Sequence, residues 1–136
     1  MDKTKLFSAV SPDLVGDNKP SVQPGQDPTL YGSATLTPTL PVEVRSFQTF
    51  TLTYKVGRIG IDDTGGIRVC FRMISDFGKL QSTDPTAPNY LSATCSGSGN
   101  ISLRIGPEGQ RPWKFAVTAQ LNGGYLNEND QITLTF

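Results

Sequence analysis

The chain has 136 residues, and its twelve basic and twelve acidic side chains give a net charge of zero. This balance provides no net field that would favour nucleic acid or an anionic membrane as a partner. No apolar run approaches the roughly 20 residues that a membrane-spanning helix needs. The N-terminal residues lack the apolar core of a signal peptide, and the sequence leaves the compartment open. The length suits one ordinary domain.

Residues 48–56 have the clearest strand pattern in the chain. Phe50, Leu52, Tyr54 and Val56 occupy alternate positions, and threonines and a lysine lie between them. Successive strand residues point to opposite faces of a sheet, so the pattern predicts a strand with one buried face and one wet face. We expect the domain to be organised around this strand.

Six further segments have strand composition, and turn residues such as Gly, Pro, Asn and Asp separate them. The seven predicted strands span residues 31–36, 48–56, 67–75, 89–95, 101–105, 113–120 and 131–136. No segment has the period of a helix. The pattern predicts an all-β fold, an antiparallel β-sandwich of immunoglobulin-like type, and a closed barrel is the alternative.

The domain is predicted to span residues 30–136. Residues 1–29 contain four prolines and no periodicity of either kind, which predicts an extended arm or linker. Four of the strands are expected to share one core. Its predicted members are Phe50, Leu52, Tyr54, Val56, Val69, Phe71, Phe115, Val117, Ile132 and Leu134.

The two cysteines are predicted to be free thiols. Cys70 alternates with the apolar residues of its strand, whereas Cys95 follows Leu91 and Ala93 at a period of two and should point inward. Opposite-facing cysteines make a disulfide awkward. A bridge between the sheets is the alternative.

The sequence contains no histidine, and this removes the commonest general base, triad partner and metal ligand. The adjacent Asp62 and Asp63 are a candidate carboxylate pair or cation site, and residues 127–130 are a second candidate. Calcium loops supply several ligands at alternating spacing, so turn formation is the favoured interpretation of both. We therefore predict no catalytic residue, no metal and no cofactor.

Loop aromatics are the first candidate binding residues. Phe77, Tyr90 and Tyr125 lie in or beside predicted loops, where exposed rings can stack on sugars. Trp113 begins an alternating strand on the same side as Phe115, and we predict that it belongs to the core.

Basic side chains are the second candidate. Arg68 and Arg72 lie on the polar face of one predicted strand, and Lys55 is a candidate neighbour from another strand. An anion patch and an ordinary solvated sheet face both fit this pattern.

Three stretches together resemble the N-terminal region of a family of large, poorly characterised bacterial proteins. They read Phe-Thr-Leu-Thr-Tyr-Lys-Val-Gly at 50–57, Gly-Ile-Asp-Asp-Thr-Gly-Gly-Ile-Arg at 60–68 and Gly-Tyr-Leu-Asn-Glu-Asn-Asp-Gln-Ile-Thr-Leu at 124–134. In that family a β-rich front domain precedes a domain similar to PHP-type metal-dependent phosphoesterases. The resemblance spans roughly residues 31–136, and it implies an accessory front piece whose metal-binding half would lie beyond Phe136. No residue here matches that half's ligands.

Two functions therefore compete. The first is a non-catalytic accessory or structural domain that packs against or positions a catalytic domain or another protein surface. The second is a carbohydrate-binding module that uses the loop aromatics. No nucleic acid and no membrane span is expected in either case.

Overall fold

The protein is an all-β sandwich. The computed structural model describes residues 28–71, 78–106 and 115–136. In that part of the chain it has seven strands and one short 3-10 helix, Pro28–Leu30, which is not long and apolar enough to cross a membrane. The strands are β1 Gly32–Thr37, β2 Thr51–Val56, β3 Gly66–Phe71, β4 Ser92–Cys95, β5 Asn100–Gly106, β6 Phe115–Asn122 and β7 Gln131–Thr135.

Each predicted strand overlaps an observed one, and the differences lie at the ends. The strand expected at 67–75 is described only as far as Phe71, and Trp113 lies outside the described residues, as do residues 1–27 of the predicted arm. The strand expected at 48–56 begins at Thr51. The backbones of Phe50 and Phe136 nevertheless continue its pairing with β7, because each N–H donates to the carbonyl oxygen of the other at 2.7 and 2.9 Å.

The strands form two antiparallel sheets, of order β1-β2-β7-β4 and β3-β6-β5. Among the described strands this order differs from that of a constant-type immunoglobulin domain. There the fifth strand lies beside the second and the seventh beside the sixth. Here β7 lies beside β2, and β5 lies beside β6. The chain crosses between the sheets after β2, after β3 and after β4. Strands β5 and β6 then pair in the three-stranded sheet, and the chain crosses back to β7.

The core lies between the two sheets. The predicted members Val56, Val117, Ile132 and Leu134 are buried. Other predicted members pack against them while remaining partly exposed; these are Leu52, Tyr54, Val69, Phe71 and Phe115. Four buried residues of the core cluster were not predicted, namely Leu91, Ala119, Leu121 and Leu126.

The most buried strand is β6, the centre of the three-stranded sheet, rather than β2, around which we expect the domain to be organised. Val117, Ala119 and Leu121 have no exposed surface. Strands β3 and β5 flank β6 on its two sides. A central strand that is covered on one face and paired on both edges loses most of its contact with water, whereas β2 pairs on one side with the exposed edge strand β1.

Candidate functional site

Large apolar side chains are exposed in the loop between β1 and β2. Leu40, Val44 and Phe47 are 77%, 84% and 94% exposed. Val42, in the same loop, is also exposed. Large exposed apolar patches on soluble domains typically mark interaction sites, and Val42, Val44 and Phe47 line one cavity.

A cavity of about 700 Å³ lies behind this loop. Residues 42–50 form one wall, and Leu80, Tyr90 and Phe136 contribute to the others. We call this cavity, together with residues 38–50, the apolar end. Its volume lies within the range of about 300–1,000 Å³ that ligand pockets occupy.

Aromatic rings form the base of the apolar end. The Phe50 ring stacks on Phe136 at a centroid distance of 5.8 Å. The Phe71 ring meets Phe136 edge-on at 5.5 Å and Phe115 at 5.8 Å. Such pairs contribute about 0.5–1.5 kcal/mol each beyond the burial of their area. The Phe50 and Phe136 rings therefore form an apolar floor of the cavity, and Phe71 of the other sheet packs against Phe136.

The loop that carries Tyr90 is held by its own polar side chains. The Gln81 amide donates to the Asp84 carbonyl oxygen at 2.7 Å, and its oxygen accepts from the backbone N–H of Thr83 and of Asp84 at 2.9 Å. Hydrogen bonds from the hydroxyl and the backbone N–H of Thr86 lower the pKa of the Asp84 carboxyl. Because Tyr90 forms a backbone bridge with Gln81, this network places its half-buried ring at the cavity wall.

The candidate carboxylates Asp62, Asp63 and Asp130 lie at the other end of the sandwich, which we call the acidic end, and each completes a turn there. The Asp62 carboxylate accepts from the Asp63 N–H at 2.8 Å, and Asp63 accepts from the Gly123 N–H at 2.8 Å. Asp130 accepts from the Asn127 N–H at 2.8 Å. The predicted turn role of these residues is confirmed by these bonds. In the described part of the chain, no three His, Cys, Asp or Glu side chains are grouped so that they can hold a metal ion.

Tyr125 also lies at this acidic end. Its backbone N–H donates to the Ser98 hydroxyl at 3.1 Å, and its ring is 58% exposed. The length of β7 separates it from Tyr90, which lies near Phe136. The two tyrosines therefore do not form one row, and Phe77 lies outside the described residues.

Arg68 lies on the outer face of the three-stranded sheet, exposed to solvent. In register with it is Thr118 of β6, and beyond Thr118 is Arg104 of β5. Lys55 belongs to the other sheet, so the expected grouping with Arg68 is wrong. Arg72 lies outside the described residues. Arg104 was missed because register between strands that are distant in sequence cannot be read from alternation.

Both cysteines are free, as predicted. Cys70 is exposed on the outer face of β3, opposite Ala116. Cys95 lies opposite the buried Ile132 and packs against the core. The two thiols thus point to different sides of the sandwich.

Comparison of the chain with protein-family models, with curated proteins and with solved structures found no match. The resemblance to the front domain of the bacterial family therefore stays a prediction.

Proposed function

We propose that this chain is a non-catalytic accessory β-sandwich domain that binds the surface of another protein through its apolar end. The observation that carries the proposal is the exposure of Leu40, Val44 and Phe47 beside a cavity with an aromatic floor. The partner that fits is an apolar protein surface, such as that of a catalytic domain, with a projecting apolar segment that enters the cavity.

The magnitudes favour a protein over a small ligand. Burying a Val, Leu or Phe side chain is worth about 1.5–3 kcal/mol, so the three exposed residues supply roughly 4–9 kcal/mol. Association costs about 4–15 kcal/mol in lost freedom and ordering. A partner must therefore cover the loop and fill the cavity together, and only a macromolecular surface is broad enough for both.

Charge places few limits on this partner. The loop contains one acid, Glu43, and one base, Arg45. The Glu43 carbonyl oxygen accepts from the Ser46 hydroxyl at 2.7 Å and from the Ser46 N–H at 3.3 Å, which closes a turn in the middle of the loop. Because the two charges have opposite sign, the surface attracts neither acidic nor basic partners strongly.

The proposed absence of catalysis rests on the chemistry of the side chains. The chain has no histidine, and the carboxylates of Asp62, Asp63 and Asp130 are engaged by turn N–H groups. The sequence resemblance agrees with this role, since it implies a front domain ahead of a metal-dependent hydrolase.

Site-specific photo-crosslinking tests the proposal. A photoreactive phenylalanine analogue at position 47 is introduced in cells that express the protein, and the crosslinked protein is identified by mass spectrometry. The partner is then purified and titrated against the chain by calorimetry. Phe47→Ser should weaken binding at least about tenfold, the loss of one interface anchor. The control is Ile59→Ser, which removes a similarly exposed residue, 65% exposed, from another loop.

Three outcomes would contradict the proposal. A partner that binds Phe47→Ser and the parent chain equally would remove the apolar end from the interface. Binding of an isolated lipid or other small apolar molecule with the affinity of the protein partner would make the cavity a ligand pocket. Binding to a glycan that is lost in Tyr125→Ala would favour the carbohydrate-binding alternative.

A further inference from the structure

Within the described residues, strand β1 is an open sheet edge. It is the outermost strand of the four-stranded sheet and, among the described strands, pairs only with β2. Its six residues, Gly-Ser-Ala-Thr-Leu-Thr, include no charged side chain and no proline. Natural proteins use charges, prolines and bulges to keep exposed edges from pairing with other chains.

The hydrogen-bond pattern identifies which backbone groups of β1 face outward. Phe50 and Phe136 exchange both backbone hydrogen bonds, and in an antiparallel pair every second residue directs both groups to the same neighbour. The even-numbered residues of β2 therefore bond to β7. Its odd-numbered residues, Thr51, Thr53 and Lys55, bond to β1.

The register of β1 on β2 completes this assignment. Ser33, Thr35 and Thr37 lie opposite the odd-numbered residues of β2, and their N–H and C=O groups bond to that strand. Ala34 and Leu36 consequently direct their N–H and C=O groups away from β2, toward the open edge.

The side chains of the open positions are apolar and poorly covered. Ala34 and Leu36 lie opposite Tyr54 and Leu52, which pack against the core, so they share the inward face. Leu36 is nevertheless 43% exposed. The sheet that faces them has three described strands and theirs has four, which leaves the inward side of β1 partly uncovered.

We propose that β1 pairs antiparallel with β1 of a second copy of this chain, about a two-fold axis at Thr35. This register sets Ala34 of each copy opposite Leu36 of the other, and the two pairs exchange four backbone hydrogen bonds. The Leu36 side chains then cover the inward faces of both strands. Because β1 is uncharged and the chain has no net charge, two copies meet without like-charge repulsion.

The contact is small, and the dimer is therefore weak. A six-residue strand is about 20 Å long, and with a sheet thickness of about 10 Å it buries on the order of 200 Å² per copy. Stable interfaces bury about 800 Å² per partner. The association must therefore be studied over a wide concentration range. It involves none of the residues of the apolar end, so it stands or fails independently of the proposed function.

Sedimentation velocity over a concentration series should show a monomer that converts to a dimer as the protein concentration rises. Ala34→Pro removes an N–H that faces the open edge and so spares the pairing of β1 with β2. It should shift the dimerisation midpoint at least tenfold, and so should Leu36→Lys. Thr94→Lys makes the matched change on β4, the opposite edge of the same sheet, and should leave the midpoint unchanged.

Crosslinking and hydrogen exchange test the register. In a Cys70→Ser background, Thr35→Cys should form a disulfide-linked dimer on oxidation, because opposed residues at a non-hydrogen-bonded position are close enough to bridge. Thr94→Cys should not. The Ala34 and Leu36 amides should exchange fast in dilute protein and slowly at high concentration, whereas the Thr35 amide should be slow in both.

The inference is overturned by a monomer at all concentrations without Thr35→Cys crosslinking, or by a dimer that survives Ala34→Pro and Leu36→Lys. Slow exchange of the Ala34 amide that does not depend on concentration would also overturn it. That result would place another segment of the same chain on the edge.

Discussion

Replacing Leu121 with Ala should be among the most damaging single changes in the core. Leu121 has no exposed surface and lies in β6, the central strand of its sheet. Its backbone is fixed by two loop contacts, since its N–H donates to the Gly65 carbonyl oxygen at 2.8 Å and its carbonyl oxygen accepts from the Thr64 N–H at 2.9 Å. Backbone that is held in this way cannot collapse into the space that the side chain leaves.

The magnitude follows from this rigidity. Leu→Ala changes in cores cost about 2–5 kcal/mol, and the cost rises with the volume of the cavity that remains. We expect roughly 3–5 kcal/mol for Leu121→Ala, a large share of the about 5–15 kcal/mol by which domains are stable. Leu52, on β2, is half-buried, so water can reach the space after truncation. We expect roughly 1–2 kcal/mol for Leu52→Ala.

Urea unfolding followed by far-UV circular dichroism measures both values. The slopes of the unfolding curves must agree among the variants for the comparison to hold. Leu40→Ala, at a side chain that is 77% exposed, is the control and should change stability by less than about 0.5 kcal/mol. If Leu121→Ala cost no more than Leu52→Ala, β6 would not be the rigid centre of the core.

Three further predictions concern backbone, loop and pH. Gly66→Ala should destabilise the protein more than Gly123→Ala, because an added Cβ at Gly66 would overlap the backbone of β6. At Gly123 the space is open, and the only cost is that alanine must adopt a φ of 71°. Thermal melts compare the two variants. Asp130→Ala should cost about 1–3 kcal/mol in urea unfolding, since the carboxylate accepts from a backbone N–H and a hydroxyl, and Asp130→Asn should cost less. Tyr54 donates its phenolic proton to the Tyr31 carbonyl oxygen, and burial raises its pKa above 10.0. The stabilising contribution of the protonated Tyr54 hydroxyl is therefore complete below pH 10 and is lost as pH rises through the pKa of the folded state. Melting temperatures at alkaline pH should consequently fall less steeply with rising pH in Tyr54→Phe than in the parent chain.

Alternation was sufficient to predict the strands, because each buried face repeats every second residue. It was not sufficient for the core residues that lie outside the alternating segments. Leu126 is an isolated apolar residue in a loop, and it is buried because backbone bonds with Ile61 hold that loop against the sheets. Leu91 lies within the predicted strand 89–95, but it is also held in place by a backbone bond to Gln81. Such contacts are long-range, and no local pattern in the sequence records them.

The sheet order had the same limitation. All seven strands are short, and their inward residues are similar in kind, so the sequence does not distinguish β5 from β7 as the neighbour of β2. The choice depends on how the chain crosses between the sheets. For this reason the sandwich was predictable, whereas the position of Arg104 across β6 from Arg68 was not.

The sequence of the apolar end contains an alternating apolar pattern that two prolines interrupt. Leu40, Val42 and Val44 alternate as strand residues do, but Pro38 and Pro41 interrupt this segment, and the predicted first strand ends at residue 36. In the structure these residues pair with no described strand, and their side chains remain in water. Strand-like alternation in a segment that pairs with no described strand is thus the sequence feature that corresponds to the proposed interaction surface.

The two ends of the sandwich differ in what closes them, and this difference explains why only one is proposed to bind a protein. At the acidic end, the carboxylates of Asp63 and Asp130 accept turn N–H groups, so the loops satisfy their own polar groups. At the apolar end, the ring of Phe136 is the floor and Phe47 remains 94% exposed. Apolar surface that the chain leaves in water is stabilised only when a second surface covers it. The apolar end is therefore where a partner gains the most.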